Sequence, residues 1–486
     1  MVSVVLWSSL AHADDDDPMY LLPHPNAPWW LSAQANSILQ VQPGLHSPYE
    51  GDHSFRTEDH HRISFVATVY GGYEITPNTA IVVAGESAGG GGLSDALGIA
   101  GFTNLDVVRN PTLGIAPYLG RAYIDQVIPL GDVREDHARD PLHVLRTLPA
   151  RRLEIRAGKF STVDVFDTNE GATDSHLQFM NWAIDNNGAY DYAADTRGYS
   201  LGVTIEYDSP LWALRFGEML MPAVANGNDY DTDIANARGE NLELEVHDCI
   251  AGHPGLVRGL AFVNHAKMGS YATSLAEYRA DIVDVPNITD SRVAGRIKYG
   301  FGLNAEQEVA TDLHVFGRLG WNEGHYESFA YTEIDNTLMV GGDLRGGRWH
   351  RSGDKLGIAL VTNGLSADHR AYLAAGGEGF LLGDGKLTYG RETIVEAYYT
   401  ARVYRGIFPA LDVQFVDTLG QEGISYTADP EEAERRVRDG EAAVAYLLRP
   451  TRIEDVFAYA RRGEVLPQKT TYFFPKLISG LLFHPL

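Results

Sequence analysis

Between Val395 and Tyr404 the chain alternates without a break. Val395, Ala397, Tyr399, Ala401 and Val403 fall on one face of an extended backbone, and Glu396, Tyr398, Thr400, Arg402 and Tyr404 on the other. A period of two is that of a β-strand whose faces meet two different solvents, one apolar and one polar. A run starting at Leu356 shows the same pattern, and the connection between them, residues 363–385, is polar and rich in glycine. Tight turns that join strands are far shorter, and connections of this length usually carry function. Residues 356–416 therefore read as a hairpin with a working loop.

The same grammar fills most of the chain. Residues 62–73, 80–85, 119–130, 153–160, 198–207, 212–220, 241–247, 256–265, 296–309, 313–321 and 331–344 have strand composition, with Pro43-Gly44, Pro77-Asn78 and the glycines 89–92 between them. No helical pattern intervenes, so the series predicts an all-β, up-and-down antiparallel meander. No apolar stretch is long enough for a transmembrane helix, but membrane barrels cross with alternating strands that hydropathy does not register. At roughly 25 residues per strand with its turn, the strand-bearing region predicts about sixteen strands, the size at which a barrel leaves an aqueous channel. Tyr199, Tyr207, Trp212, Trp321, Phe329, Tyr331, Tyr399 and Phe408 lie near strand ends, where interfacial girdles belong.

Composition narrows the functions. A net charge of -26 excludes a protein built to grip nucleic acid, and it either favours cations in a lumen or keeps acidic loops soluble. The single cysteine, Cys249, leaves no internal disulfide. His60-His61 and the other histidines lack metal-ligand spacing, so neither a metal nor a cofactor is expected. Gly85-Glu86-Ser87-Ala88-Gly89 matches a hydrolase elbow in letters only, because the glycines that follow cannot start the required helix. Those glycines also lack the Lys-Ser/Thr of a phosphate loop. No nucleophile stands out, so a channel is expected and not an enzyme.

Charges sit on the polar strand faces. Glu243, Glu245 and His247 oppose Leu242, Leu244 and Val246; Arg215 opposes Leu214 and Phe216; Arg296, Lys298, Asn304, Glu306 and Glu308 oppose Tyr299, Phe301 and Leu303. In a membrane barrel that face is the lumen, where such residues either line the pore or pair across strands. Residues 163–195 are polar with Trp182, Tyr190 and Tyr192 among Asp and Asn, and Lys159 and Arg197 flank them. Rings beside charged and amide groups suit a sugar, which is apolar on its faces and hydroxylated at its rim. A loop folded inward would supply that filter; one left outside would cap the barrel or join copies. With Arg121, Arg318, Glu396 and Arg402 on the strands, these residues and Arg215, Glu243 and Glu245 form the set of pore-lining or sugar-binding candidates.

Several runs also carry a family likeness: Asn363-Gly-Leu-Ser-Ala-Asp-His-Arg, Tyr372-Leu-Ala-Ala-Gly-Gly, Phe380-Leu-Leu-Gly-Asp-Gly, Gly158-Lys-Phe-Ser, Ala194-Asp-Thr-Arg-Gly-Tyr and Arg238-Gly-Glu-Asn-Leu-Glu-Leu-Glu. Over residues 31–416 the chain resembles the carbohydrate-selective, OprB-like porins of Gram-negative outer membranes. The resemblance implies a barrel of about sixteen strands that lies in outer-membrane lipid and passes sugars and other small hydrophilic solutes by diffusion. A general ion porin and an outer-membrane enzyme are the alternatives, and a homotrimer is a candidate assembly.

The ends read differently. Residues 1–13 finish in Ala11-His-Ala13, the small-x-small pattern of an export signal, though without its positive start, leaving residues 14–416 as the barrel. In residues 417–486, Asp429 with Pro430 and the box Thr451-Arg-Ile-Glu454 start helices, a small α/β-like tail. Its final run from Leu466 resembles the end of a soluble bacterial family of poorly defined function, and the closing strand with a terminal aromatic usual in porins of this kind is missing.

Overall fold

The computed structural model describes residues 2–4, 27–45, 50–107, 114–250 and 252–419, with Arg435 and Arg438 beyond them. The chain divides into Met1–Gly420, which holds the barrel, and Gln421–Leu486. Of the tail helices expected from Asp429 and Thr451 only Arg435 and Arg438, both helical, are described; the rest, with the soluble-family ending, lies outside the described residues.

The strands are β1 (Val2–Val4), β2 (Trp29–Gln42), β3 (His60–Thr76), β4 (Thr79–Gly90), β5 (Tyr118–Pro129), β6 (Arg134–Asp136), β7 (Thr147–Pro149), β8 (Arg152–Phe160) and β9 (Ser200–Asp208). They continue with β10 (Trp212–Leu220), β11 (Arg238–Ile250), β12 (His253–Met268), β13 (Val293–Ala310), β14 (Leu313–Asn322), β15 (Asn336–Arg345), β16 (Lys355–Gly364), β17 (Arg391–Thr400) and β18 (Ala410–Leu419). All but β6 and β7 form one closed antiparallel barrel of sixteen strands in sequence order, and β6 and β7 pair with each other. The closing position, expected to lack a strand, is held by β1: Val2 lies opposite Val413 of β18 and Val41 of β2. Val2–Val4 fall within the residues read as an export signal.

Alternation sets which way each side chain points. Along β11, Leu242, Leu244 and Val246 are about half exposed, whereas Glu243 and Glu245 are buried; along β17, Glu396, Tyr398 and Thr400 are buried. An apolar outside and a polar inside is the reverse of a soluble core and suits hydrocarbon around a lumen. Tyr207, Trp212 and Trp321 lie on the outer face as girdle aromatics should, Trp212 packing on Tyr207 and Trp321 on Phe301. Tyr199, Phe329 and Tyr331 do not: they are buried in the interior, because they sit on loops that fold inward.

One end of the barrel carries tight turns, at 77–78, 209–211 and 311–312, and the other carries the long connections 161–199, 269–292 and 365–390. The uninterrupted strand series expected from the sequence is broken there by α1 (Trp182–Asp185), α2 (Tyr271–Arg279) and α3 (Ala367–Ala374). Short helices escape a search for long periodic runs, but their caps are visible: the Ser366 hydroxyl accepts from the His369 amide at 3.1 Å and Asn181 caps Ala183 at 3.1 Å. At the tight-turn end, residues 130–151 with β6 and β7 press Val144 and Leu145 against Trp30, Val82 and Tyr123.

If the outer face meets lipid, replacing Leu244 at the middle of β11 by Arg should cost roughly 2–4 kcal/mol of folding free energy. Urea titration of the protein refolded into lipid vesicles measures it, and a cost near zero would place that face in water.

Candidate functional site

The connection 161–199 leaves β8 and turns into the lumen, where inward-facing strand residues take hold of its backbone. Arg318 of β14, fully buried, donates to the carbonyls of Asp167, Ala172, Ile184 and Asp185 at 2.9–3.0 Å and pairs with the Asp167 carboxylate at 3.0 Å. Glu396 of β17 accepts from the amides of Met180 and Asn181 at 2.6 and 3.1 Å, and Glu243 of β11 from that of Asp167 at 2.8 Å. The loop side chains bind back, Asn169 to Asn304 at 2.8 Å and Tyr190 to Asn241 at 2.7 Å. Gly320 is small because the loop runs against it: a Cβ there would lie 2.0 Å from the Asn187 amide oxygen.

The loop's aromatics form its core. Trp182 stacks on Tyr331 at 5.1 Å, Tyr192 packs on Tyr331 at 4.7 Å and Tyr190 on Phe262 at 5.2 Å, all of them buried. Along the wall below, ion pairs link strand to strand: Glu206 to Arg215 at 3.1 Å, Arg215 to Glu243 and Glu245 at 3.0 and 2.9 Å, Glu245 to Arg258 and Arg258 to Glu306 at 2.6 Å. The candidates Arg215, Glu243 and Glu245 thus belong to one ladder, and Arg318 and Glu396 lie beneath the loop. Arg402 is elsewhere, in the 401–409 connection at the tight-turn end, where its amide donates to Asp354 at 2.9 Å.

Arg121, Lys159 and Arg197 do meet, on the side of the lumen formed by β4, β5 and β8. Arg121 grips Asp164 through two bonds of 2.7 Å and lies 5.1 Å from the Tyr199 ring. Lys159 stands 3.5 Å from Asp195 and within 5.7 and 5.9 Å of the Tyr199 and Tyr230 rings. The Arg197 guanidinium covers the Tyr118 ring at 3.7 Å. Glu86 ties the rings together by accepting from Tyr118, from Tyr199 at 3.0 Å and from Thr68 at 3.0 Å. Asp195 accepts from Tyr230 at 2.9 Å. Cations beside tyrosine rings and fixed carboxylates present both stacking surfaces and hydrogen-bonding groups to a hydroxylated solute.

Sequence reading passed over Glu86, Tyr118, Asp164, Asp195 and Tyr230. The expected strand stopped at residue 85 before the glycine run, whereas β4 continues to Gly90. Continued alternation would have placed Glu86 on the inward face with Ala80, Val82, Ala84 and Ala88, a lone carboxylate among small apolar residues. Asp164, Asp195 and Tyr230 lie on loops, where no period marks direction.

A sixteen-stranded barrel with lipid-facing strands and a polar lumen crossed by an inserted loop is an outer-membrane porin. A sequence profile of the carbohydrate-selective porin, OprB family, matches residues 52–447, and the chain belongs to that family. The match begins later than the resemblance read from residue 31 and runs past 416 into the tail. The high-pH structure of Pseudomonas putida OprB superposes with a TM-score of 0.55 at 14% identity, over 80% of this chain and 94% of that one, which supports the fold. The low-pH structure of the same protein gives 0.38 at 11% identity, over 79% and 92%. The in-vitro folded trimer form of OmpT from Vibrio cholerae gives 0.40 at 11% identity, over 81% and 91%. Comparison with curated proteins returns no match. The protein is an outer-membrane porin for carbohydrates of a Gram-negative bacterium.

Two predictions concern the inserted loop. Arg318→Ala would take the donor from the buried Ile184 and Asp185 carbonyls and the cation from the buried Asp167 carboxylate, a loss of about 3–5 kcal/mol. Heat-denaturation of the detergent-solubilised protein should show a large fall in transition temperature, and an unchanged one would show that Arg318 does not hold the loop.

The second is a pH effect. His176 lies 3.2 Å from Asp106, which follows β4, and 3.6 Å from Asp174. Burial alone would lower its pKa, but Asp106 and Asp174 outweigh burial and hold it well above the usual value. Asp106, which burial alone would raise, is held below its usual range by His176 and by bonds from Asn36 and Ser175. A raised histidine contributes its full stability below about pH 6.5 and loses it as pH climbs through the raised value. A depressed carboxylate contributes above about pH 3.9 and loses it as pH falls. The transition temperature should therefore drop on the alkaline side more steeply in the wild type than in His176→Gln; parallel curves would refute the clamp.

Proposed function

We propose that sugars are selected on the β4–β5–β8 side of the lumen, by Arg121, Lys159 and Arg197 with the rings of Tyr118, Tyr199 and Tyr230. One contrast carries this reading: Arg121 and Lys159 keep part of their side chains accessible, 13% and 20%, whereas Arg318 keeps none. The inserted loop occupies the opposite wall and narrows the route; the three cations and three rings then border what is left. In passing, a solute trades its water for hydrogen bonds to fixed side chains and apolar contact with tyrosine. Selection comes from this exchange at close range and from the charge at the narrowing. Asp164, Asp195 and Glu86 fix the donors in place and keep a neutral sugar from being trapped by bare charge.

The family and the fold point to a channel rather than an enzyme. Every residue of the proposed filter belongs to one chain, so a homotrimer would repeat the channel and not complete it. Trp182, Tyr190 and Tyr192 serve by building the loop that shapes the route, and the Arg215–Glu243–Glu245 ladder by setting the field along the wall.

In planar bilayers, glucose or maltose should reduce the ion current, and Lys159→Glu should shift the cation-to-anion permeability ratio toward cations and weaken the sugar effect. A current unaffected by either sugar would leave a general ion porin without a filter.

A further inference from the structure

The filter's cations are not equivalent. Arg121 is matched by Asp164 and Lys159 by Asp195, while among the described residues no carboxylate stands within ion-pair distance of Arg197. Its Nη1 is buried without a hydrogen-bond partner. The backbone does not compensate, since the Arg197 amide donates to Asp195 at 2.9 Å and that carboxylate also takes the Tyr199 amide and the Tyr230 hydroxyl. Glu86 is also engaged: its two oxygens accept from the Thr68, Tyr118 and Tyr199 hydroxyls. A guanidinium laid over a ring 3.7 Å away is held by its face, and although Nη1 is buried the Arg197 side chain is partly exposed and keeps the rest of its N–H edge for a ligand. A guanidinium with no carboxylate beside it lacks a counter-charge, and a carboxylate is the acceptor whose two oxygens match the exposed part of the guanidinium fork.

We infer that this filter takes carboxylated sugars, hexuronates and aldonates, in preference to neutral hexoses, with Arg197 receiving the carboxylate while the tyrosines meet the sugar body. The inference rests on the proposed filter and names its substrate class. A neutral sugar hydroxyl offers Arg197 one weak acceptor; a sugar carboxylate offers a charge-assisted pair.

The test compares current block by glucuronate with block by glucuronamide, its uncharged counterpart of the same shape, and by glucose, in single channels of the full chain. Glucuronate should bind about tenfold more tightly than glucuronamide, the difference expected of one charge-assisted contact. Arg197→Gln should remove most of that difference, and Arg197→Lys, which keeps the charge without the fork, should restore part of it. If glucose and glucuronamide block but glucuronate blocks no better, the preference for acids is wrong and the filter stands. If none of the three blocks, the filter itself is wrong. The wild-type comparison decides both without depending on how well any variant folds.

Discussion

Hydrocarbon offers a protein backbone no hydrogen-bond partner, so every amide and carbonyl at membrane depth must find one within the sheet. Long antiparallel ladders, such as the pairing of β12 with β13 from Gly255 to Met268, answer that demand along most of the wall. Where the ring would open, between β18 and β2, the short β1 completes the order. The same constraint sorts the side chains: Leu303 and Phe301 face outward while Asn304 and Lys298 turn inward on one strand. A closed wall of this kind has a polar interior as its unavoidable other face.

That interior does not stay a uniform tube, because its charges are spent on different tasks. Arg318, Glu396 and Glu243 bind the backbone of the inserted loop, groups that would otherwise be buried without partners. Arg215, Arg258 and their carboxylates cross-link neighbouring strands. Their value is geometric more than energetic, since ion pairs removed from water gain little net stability while breaking one is expensive. With those groups committed, Arg121 of β5 and Lys159 of β8, which stay partly accessible, are the strand cations proposed to meet a solute. On that proposal, selectivity and stability are carried by separate charges on the same face.

Much of this was legible in the residue pattern. Period-two alternation at 212–220 and 241–247 gave both the strands and the inward placement of Arg215, Glu243 and Glu245, because strand geometry ties spacing to direction. Loops carry no such period. Trp182, Tyr190 and Tyr192 looked like a sugar platform, but they pack on Tyr331 and Phe262, contacts between distant parts of the chain. The helices α2 and α3 were likewise invisible to a search tuned to strands and to long amphipathic runs.

The local order of residues by itself determined that this chain is an antiparallel membrane barrel with an apolar outside and a charged inside, since lipid and lumen impose a pattern on consecutive residues. Only the tertiary structure decided which inward charges are buried against the loop and which stay partly accessible. Arg121, Arg197 and Arg318 have the same chemistry, and what separates them is whether Asp164, a tyrosine ring or a row of loop carbonyls comes to lie against the guanidinium. Those neighbours are far apart in sequence and meet only when the loop folds into the closed barrel.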